Sequence, residues 1–362
     1  MATVAAGEET APGTSHGMTE IRFVEVEPGA VRLQQRPPDH LRPGTARVRV
    51  LACGVCGTDV HMLHGMALPS GVTYPVRPGH EVCGVVADVA DGPLGHGQIA
   101  IGDQVVLHPL ATCGACRACT SGNDHRCAQA RILGIHEAGG MADEVVWPID
   151  RLVAVPGMAP LQAALLPDAV ATAYHALRVA EPPAGGTLCV LGAGGIGTHV
   201  LQLARLLDPG MRLVAVVRSE ATGERVRALG VDVVVGLDGA ARTVRALVGE
   251  VDVALDFSGA PAAPAVGIRM LRRGGRLVLG SVVDEPVELG TTTTSLVMRE
   301  LGVVGSYNAT LEDLRAVARL ATDGRLDLSG SVSTVMPLDD AAEALAMVER
   351  RPPGLVRLVL EP

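Results

Sequence analysis

The stretch that most constrains this 362-residue chain is LCVLGAGGIG, Leu188 to Gly197. A short apolar run of strand type ends in G-x-G-x-x-G, and the next residues, THVLQLARLL, carry apolar side chains at helical spacing. A bare glycine pattern means little in a chain with 44 glycines. Between a strand and a helix it is a dinucleotide-binding fingerprint. Gly192, Gly194, Gly195 and Gly197 allow a tight turn and close approach of a diphosphate, with Ile196 carried in the turn. The helix N-terminus supplies the positive end of a dipole. Further runs of the same texture follow, RLVAVV, DVVVGL, VDVALDF, RLVLGS and GVVGS, separated by longer helical stretches. That alternation predicts an α/β unit, a doubly wound parallel sheet with helices on both faces.

The first half reads differently. From Ile21 to about Ala154, short apolar runs are broken by Gly and Pro: IRFVEVEPGAVRL, ARVRVLACGV, EVCGVVADV, QVVLHPL and ADEVVWPID. These predict a mostly β domain. Residues 1–17 are small and polar without periodicity and read as a flexible tail. The last fifty residues hold two helical segments, TLEDLRAVARLA and DDAAEALAMVER, and a final strand, LVRLVLEP.

Composition removes several function classes. The formal net charge is −9, which argues against a general nucleic-acid or anionic-membrane binder. No apolar run reaches membrane-spanning length, and no signal peptide is visible. The expectation is a soluble cytoplasmic protein. All 30 basic residues are Arg, so Schiff-base and lysine-base mechanisms are excluded. With only six aromatic residues, the core must be built from Val, Leu and Ala.

Cys113, Cys116, Cys119 and Cys127 follow C-x2-C-x2-C-x7-C. Four thiolates suit tetrahedral zinc, and a closed shell leaves no room for substrate, so this lobe (113–127) predicts a structural zinc site. The rival, an iron–sulfur cluster, places its fourth cysteine three residues on and before Pro, which is not the case here. A second, open site is suggested by CGVCGTDVH (Cys53 to His61), at the end of one strand, and GHE (Gly79 to Glu81), at the start of the next. A Cys and a His at strand ends could ligate a catalytic zinc if a third ligand came from elsewhere. Cys53, Cys83 and Cys189 lie in apolar runs and read as packed core thiols. His64, His108 and His136 fit the cleft, the surface or the core equally.

Taken in order, CGVCGTDVH, PGHEVCG, the cysteine lobe, GGMADEVV, LLPDAVATAYHAL and LCVLGAGGIG make the chain resemble the zinc-dependent alcohol dehydrogenases of the medium-chain dehydrogenase/reductase superfamily, from about Ile21 to the C-terminus. The resemblance implies a GroES-like catalytic domain over 18–170, a Rossmann nucleotide-binding domain over 171–307 and a C-terminal return to the catalytic domain over 308–362. It implies two zinc ions, one catalytic and one structural, and a homodimer or homotetramer, with GVVGS as a candidate pairing edge. It places Cys56 and His80 as ligands of the catalytic zinc and Glu81 beside the metal. Thr58 falls where a hydroxyl contacts the substrate oxygen, Asp59 where a carboxylate orients His80, and His61 where a histidine passes the proton to solvent. The third ligand falls on Asp168, with Thr172 and His175 matching the branch that uses aspartate, and Thr172 is placed with Arg218 and Ser219 among the cofactor contacts. Read from the residues alone, Asp168 after Pro167 would equally cap a helix.

The end of the second nucleotide-domain strand reads RLVAVVRSE. The acidic position that bonds a ribose 2′-hydroxyl falls on Val217, followed by Arg218 and Ser219. A guanidinium without an acid favours NADP(H) over NAD(H). The alternative has Arg218 in solvent and Glu220 at the ribose. Arg225 reads as a second phosphate contact or as part of a solvated helix face. The resulting expectation is reversible oxidation of a small alcohol to a ketone or aldehyde with NADP(H). The alternatives are a zinc-free quinone or enoyl reductase of the same superfamily and a non-catalytic NADP(H)-binding protein.

Overall fold

A computed structural model describes residues 20–90, 99–283, 286–352 and 354–362. The expected tail, 1–17, lies outside the described residues.

Six parallel strands form the nucleotide-domain sheet in the order Val233–Gly236, Arg212–Val217, Thr187–Leu191, Val251–Asp256, Leu271–Leu279, Gly302–Gly305. The chain works outward from Thr187–Leu191 in both directions, so a crevice opens between that strand and Val251–Asp256. Side-chain alternation explains the two covering layers. Leu188 and Val190 face one core with Val200, Leu201 and Leu203 of the helix Gly195–Leu207. Cys189 and Leu191 face the other, with Val244 of the helix Ala240–Val248 and Ile268 of the helix Ala263–Met270. A strand buried on both faces needs the unbroken apolar run seen in RLVAVV.

The β-rich domain is built on a second sheet. Its central strand Thr45–Val55 pairs antiparallel with Glu81–Val89, with Glu144–Pro148 and with the final strand Arg357–Glu361. The C-terminus therefore returns to the first domain, with Val359 opposite Gly54 and Leu360 opposite Cys53. The lone tryptophan, Trp147, is buried there and donates its ring N–H to the His108 carbonyl at 2.9 Å. Among the elements absent from the sequence reading are two of the β-rich domain. A helix, Gly57–Leu63, begins directly after Cys56, and a strand, Val332–Pro337, runs parallel to the terminal strand. Among the described residues no helix is long and apolar enough to cross a membrane.

Candidate active site and cofactor cleft

Three chain segments meet at one buried cluster. Cys56 sits at the N-cap of the helix Gly57–Leu63, where the strand Thr45–Val55 ends. His80 and Glu81 open the neighbouring strand Glu81–Val89. Asp168 comes from a π-turn, Leu166–Val170, that leads into the helix Ala171–Ala180. π-Turns widen a helix and recur at functional sites. Here the turn aims Asp168 across at the other two.

The donor atoms of Cys56, His80, Glu81 and Asp168 lie within 4.8 Å of one another. Cys56 Sγ is 3.5 Å from Asp168 Oδ2, and His80 Nε2 is 3.8 Å from the same oxygen. Ligands bound at zinc distances in a tetrahedron sit roughly 3.3–3.8 Å apart. Glu81 is already engaged, because its carboxylate is ion-paired with the buried guanidinium of Arg357. That leaves one thiol, one imidazole and one carboxylate, a donor set that suits zinc with one position open. Asp168 caps no helix N–H; its Oδ1 instead accepts from Thr172 Oγ1 at 3.0 Å. Burial pushes the Asp168 carboxyl up, but the His80 ring and Thr172 outweigh it and hold it below its ordinary value. On His80 burial lowers the pKa, and Asp168 and Asp59 reverse the effect and carry it well above the ordinary value.

Asp59 is fully buried on the short helix. Its Oδ2 accepts the Cys56 backbone N–H at 2.8 Å, and its Oδ1 lies 3.7 Å from His80 Nδ1. Thr58 Oγ1 is 3.9 Å from Cys56 Sγ. His61, one turn further, is exposed.

The cysteine lobe is assembled on short elements: Cys116 N-caps the one-turn helix Arg117–Thr120, which carries Cys119, and Cys127 ends the 3-10 turn Asp124–Arg126. Cys113 and Cys119 are 3.9 Å apart, Cys116 and Cys119 3.6 Å, and Cys127 and Cys113 3.6 Å. Sulfurs bound to one zinc at about 2.3 Å are about 3.8 Å apart. The lobe fits a closed four-thiolate zinc site. Backbone N–H groups of Ala115 and Cys116 pull the Cys113 thiol down to about 6, toward the thiolate a metal needs.

The glycine turn occupies the crevice end of Thr187–Leu191. Gly192 has φ +84° and packs against Ser258, which a side chain would strike. A Cβ on Gly197 would lie 2.0 Å from the Gly192 carbonyl oxygen, so helix and strand can be this close only with glycine. Gly194 faces open space within 4 Å, so no protein packing demands glycine there. Thr198 closes the turn by donating to the Ala193 carbonyl at 3.0 Å.

The remaining sequence candidates separate cleanly. Ser219 accepts the Thr222 N–H and caps the helix Glu220–Ala228, so its hydroxyl has a structural use. Glu220 is exposed and accepts from the Arg227 guanidinium at 2.7 Å. Arg225 belongs neither to a solvated face nor to an open phosphate site. It is half-buried and donates to the Ala193 carbonyl at 2.7 Å, bracing the glycine turn. Arg218 is exposed at the strand end. His108 is fully buried between the carbonyls of Leu110 and Ala309, while His64 is exposed and pairs with Glu349. His136 accepts from the Ile132 N–H. His175 pairs with the buried Asp313 at 2.8 Å and so fixes the helix that follows Asp168. Cys53, Cys83 and Cys189 are buried, and burial pushes the thiols of Cys83 and Cys189 up to about 12.

Residues 42–157 match the family described as alcohol dehydrogenase GroES-like domain, and residues 195–323 that of zinc-binding dehydrogenase. An alcohol dehydrogenase of Geobacillus stearothermophilus is 32% identical over 301 residues, which are 82% of this chain and 86% of the relative. The chain belongs to the zinc-dependent alcohol dehydrogenases of the medium-chain dehydrogenase/reductase superfamily. As a zinc-binding dehydrogenase it is an oxidoreductase. A 2-dehydro-3-deoxy-L-galactonate 5-dehydrogenase of Pseudoalteromonas atlantica is 29% identical over 87% of this chain and 91% of its own length. Among solved structures, a zinc-binding dehydrogenase of Sinorhizobium meliloti bound to NADP superposes with a TM-score of 0.84 at 28% identity, covering 95% of this chain and all of that one.

Two residues of the cleft escaped the sequence reading. Arg357 lies beside the glycine turn, where a Cβ on Gly195 would come within 2.7 Å of its guanidinium, and it also holds Glu81. Tyr307 is about half exposed, yet its hydroxyl stands within electrostatic reach of Asp168 and His80, and local desolvation together with the Asp168 charge raises its pKa.

Proposed function

We propose that this dehydrogenase interconverts an alcohol and a ketone or aldehyde with NADP(H), at a zinc ion held by Cys56, His80 and Asp168. The observation that carries the reading is the donor set. A thiol, an imidazole and a carboxylate converge in a buried place, and the fourth neighbour, Glu81, is withdrawn by Arg357. When bound, zinc supplies Lewis acidity toward the alcohol or carbonyl oxygen, and the nicotinamide supplies the hydride chemistry.

The chain's own residues do the rest. Asp59 orients the His80 ring, and Thr172 orients Asp168, the usual way that outer partners fix ligand geometry. Thr58, beside Cys56, offers a hydroxyl that can relay the substrate proton, accepting it while passing its own onward, and His61 offers an exposed imidazole from which a proton leaves for solvent. Gly192, Gly194, Gly195, Ile196 and Gly197 with the helix N-terminus receive the diphosphate, and Arg357 adds a cation there. Arg218 reads the 2′-phosphate; Val217 offers no hydrogen-bond acceptor to a free 2′-hydroxyl. The cysteine lobe carries the second, structural zinc. The donor set argues against the zinc-free reductase and the non-catalytic binder, neither of which needs it.

We assign a second copy of this chain to the free edge strand Gly302–Gly305, flanked by exposed Val297 and Met298. The substrate class is a small alcohol. A panel of secondary alcohols, sugar acids, polyols and amino alcohols, followed by NADPH absorbance in both directions, tests the reading. Turnover of at least one class is expected with zinc-replete protein and not after chelation. Equal turnover after verified removal of both ions would contradict it.

A further inference from the structure

The cleft holds two cationic places, and a dinucleotide diphosphate accounts for only one. The first is Arg357 at the glycine turn. The second is a cavity of about 250 Å³ where Arg218, at the end of a nucleotide-domain strand, faces Arg350 and Arg351, at the end of the helix Ala341–Arg350 of the β-rich domain. His61 of the proposed proton path lines the same cavity. One carboxylate enters it, Glu349, and that group is paired with His64 at 2.7 Å. Arg350 gives one nitrogen to Glu343 at 2.6 Å. Arg218 and Arg351 meet no carboxylate among the described residues. Three guanidiniums in one concavity repel each other, the more noticeably in a chain with nine more acidic than basic residues. A dianionic phosphate offsets that repulsion and offers each guanidinium charge-assisted hydrogen bonds.

We propose that Arg350 and Arg351 form the second wall of the site for the cofactor's adenosine 2′-phosphate, opposite Arg218. The inference rests on the NADP(H) reading and extends it. The phosphate bridges the two domains, so the β-rich domain takes part in choosing the cofactor. The two cationic places then match the two anionic groups of NADP, whereas NAD has only the diphosphate.

Calorimetric titration with 2′,5′-ADP and with 5′-AMP reads the adenosine end directly and needs neither turnover nor catalytic zinc. Wild-type protein is expected to bind 2′,5′-ADP at least tenfold more tightly than 5′-AMP. The double variant Arg350→Ala/Arg351→Gly should lose about tenfold of that ratio with 5′-AMP binding unchanged, and the salt dependence should weaken. Glycine at 351 suits the left-handed backbone there, φ +47°, so the helix end should survive. Far-ultraviolet dichroism and unchanged 5′-AMP binding report that it has. An unchanged ratio in the double variant, with the ratio lost in Arg218→Ala, would overturn the inference and leave the NADP(H) reading standing. A wild-type protein that does not prefer 2′,5′-ADP would overturn both.

Discussion

Asp59, on the short helix, and His80, at the start of the neighbouring strand, stand 3.7 Å apart, the carboxylate Oδ1 facing the ring Nδ1, while the other carboxylate oxygen accepts the Cys56 N–H. One buried side chain therefore holds the Cys56 backbone by a hydrogen bond and faces the His80 imidazole with its charge, the Oδ1···Nδ1 gap being longer than a hydrogen bond. Asp59→Asn preserves the shape and removes the charge that favours Nδ1–H. The affinity of the open site for zinc is expected to fall about 10- to 100-fold in chelator competition. The cysteine-lobe zinc should be unaffected. Unchanged affinity at both sites would mean that Asp59 only caps the helix.

Cys116→Ser opens the four-thiolate shell. Because metal binding there contributes to folding, the expected outcome is loss of one zinc per chain, a lower Tm and aggregation. A variant equally stable but inactive would make the lobe catalytic.

Cofactor choice follows from Val217 and Arg218. One or two charge-assisted hydrogen bonds to a 2′-phosphate are worth about 1.5–3 kcal/mol each, so NADPH should be preferred by roughly tenfold to several hundredfold in kcat/KM. Arg218→Ala should erase most of that through KM, since the phosphate is remote from the hydride. Val217→Asp should go further and favour NADH. Comparable wild-type use of both cofactors, or a ratio unmoved in Arg218→Ala, would place the Arg218 guanidinium in solvent.

His199 gives the fold a pH dependence. It is fully buried on the helix that follows the glycine turn, and burial lowers its pKa to about 4. Unfolded, the same ring titrates near 6.5. Between those values the unfolded chain binds more protons, so stability is complete above about pH 6.5 and falls as the pH drops toward about 4, by roughly 3 kcal/mol. His199→Gln should flatten that segment of a denaturant-midpoint profile, whatever its effect at neutral pH. A slope equal to wild type between pH 6.5 and 4 would assign the effect to other groups.

The glycine turn, the cysteine lobe and the alternation of strand and helix were legible because each is local: the residues that matter are neighbours in sequence. The β-rich domain was legible as strands, not as a sheet, since its central strand pairs with a segment that arrives at the C-terminus. For the same reason Arg357 was missed. It meets Glu81 across 276 residues, and nothing in LVRLVLEP marks that arginine as buried. Asp168 was ambiguous because Pro-Asp before a helix also suits a cap; only the π-turn and the Thr172 bond remove that use. Arg225 looked like a helix-face charge, since its acceptor, the Ala193 carbonyl, belongs to a turn 32 residues earlier.

The zinc content of wild type and Asp168→Ala, measured with turnover on the same samples, tests the proposed centre most directly. Wild type should hold two zinc ions per chain and Asp168→Ala one, with the fold and NADPH binding retained and turnover lost. Two ions in the variant, or turnover within tenfold of wild type, would contradict a zinc centre built on Cys56, His80 and Asp168.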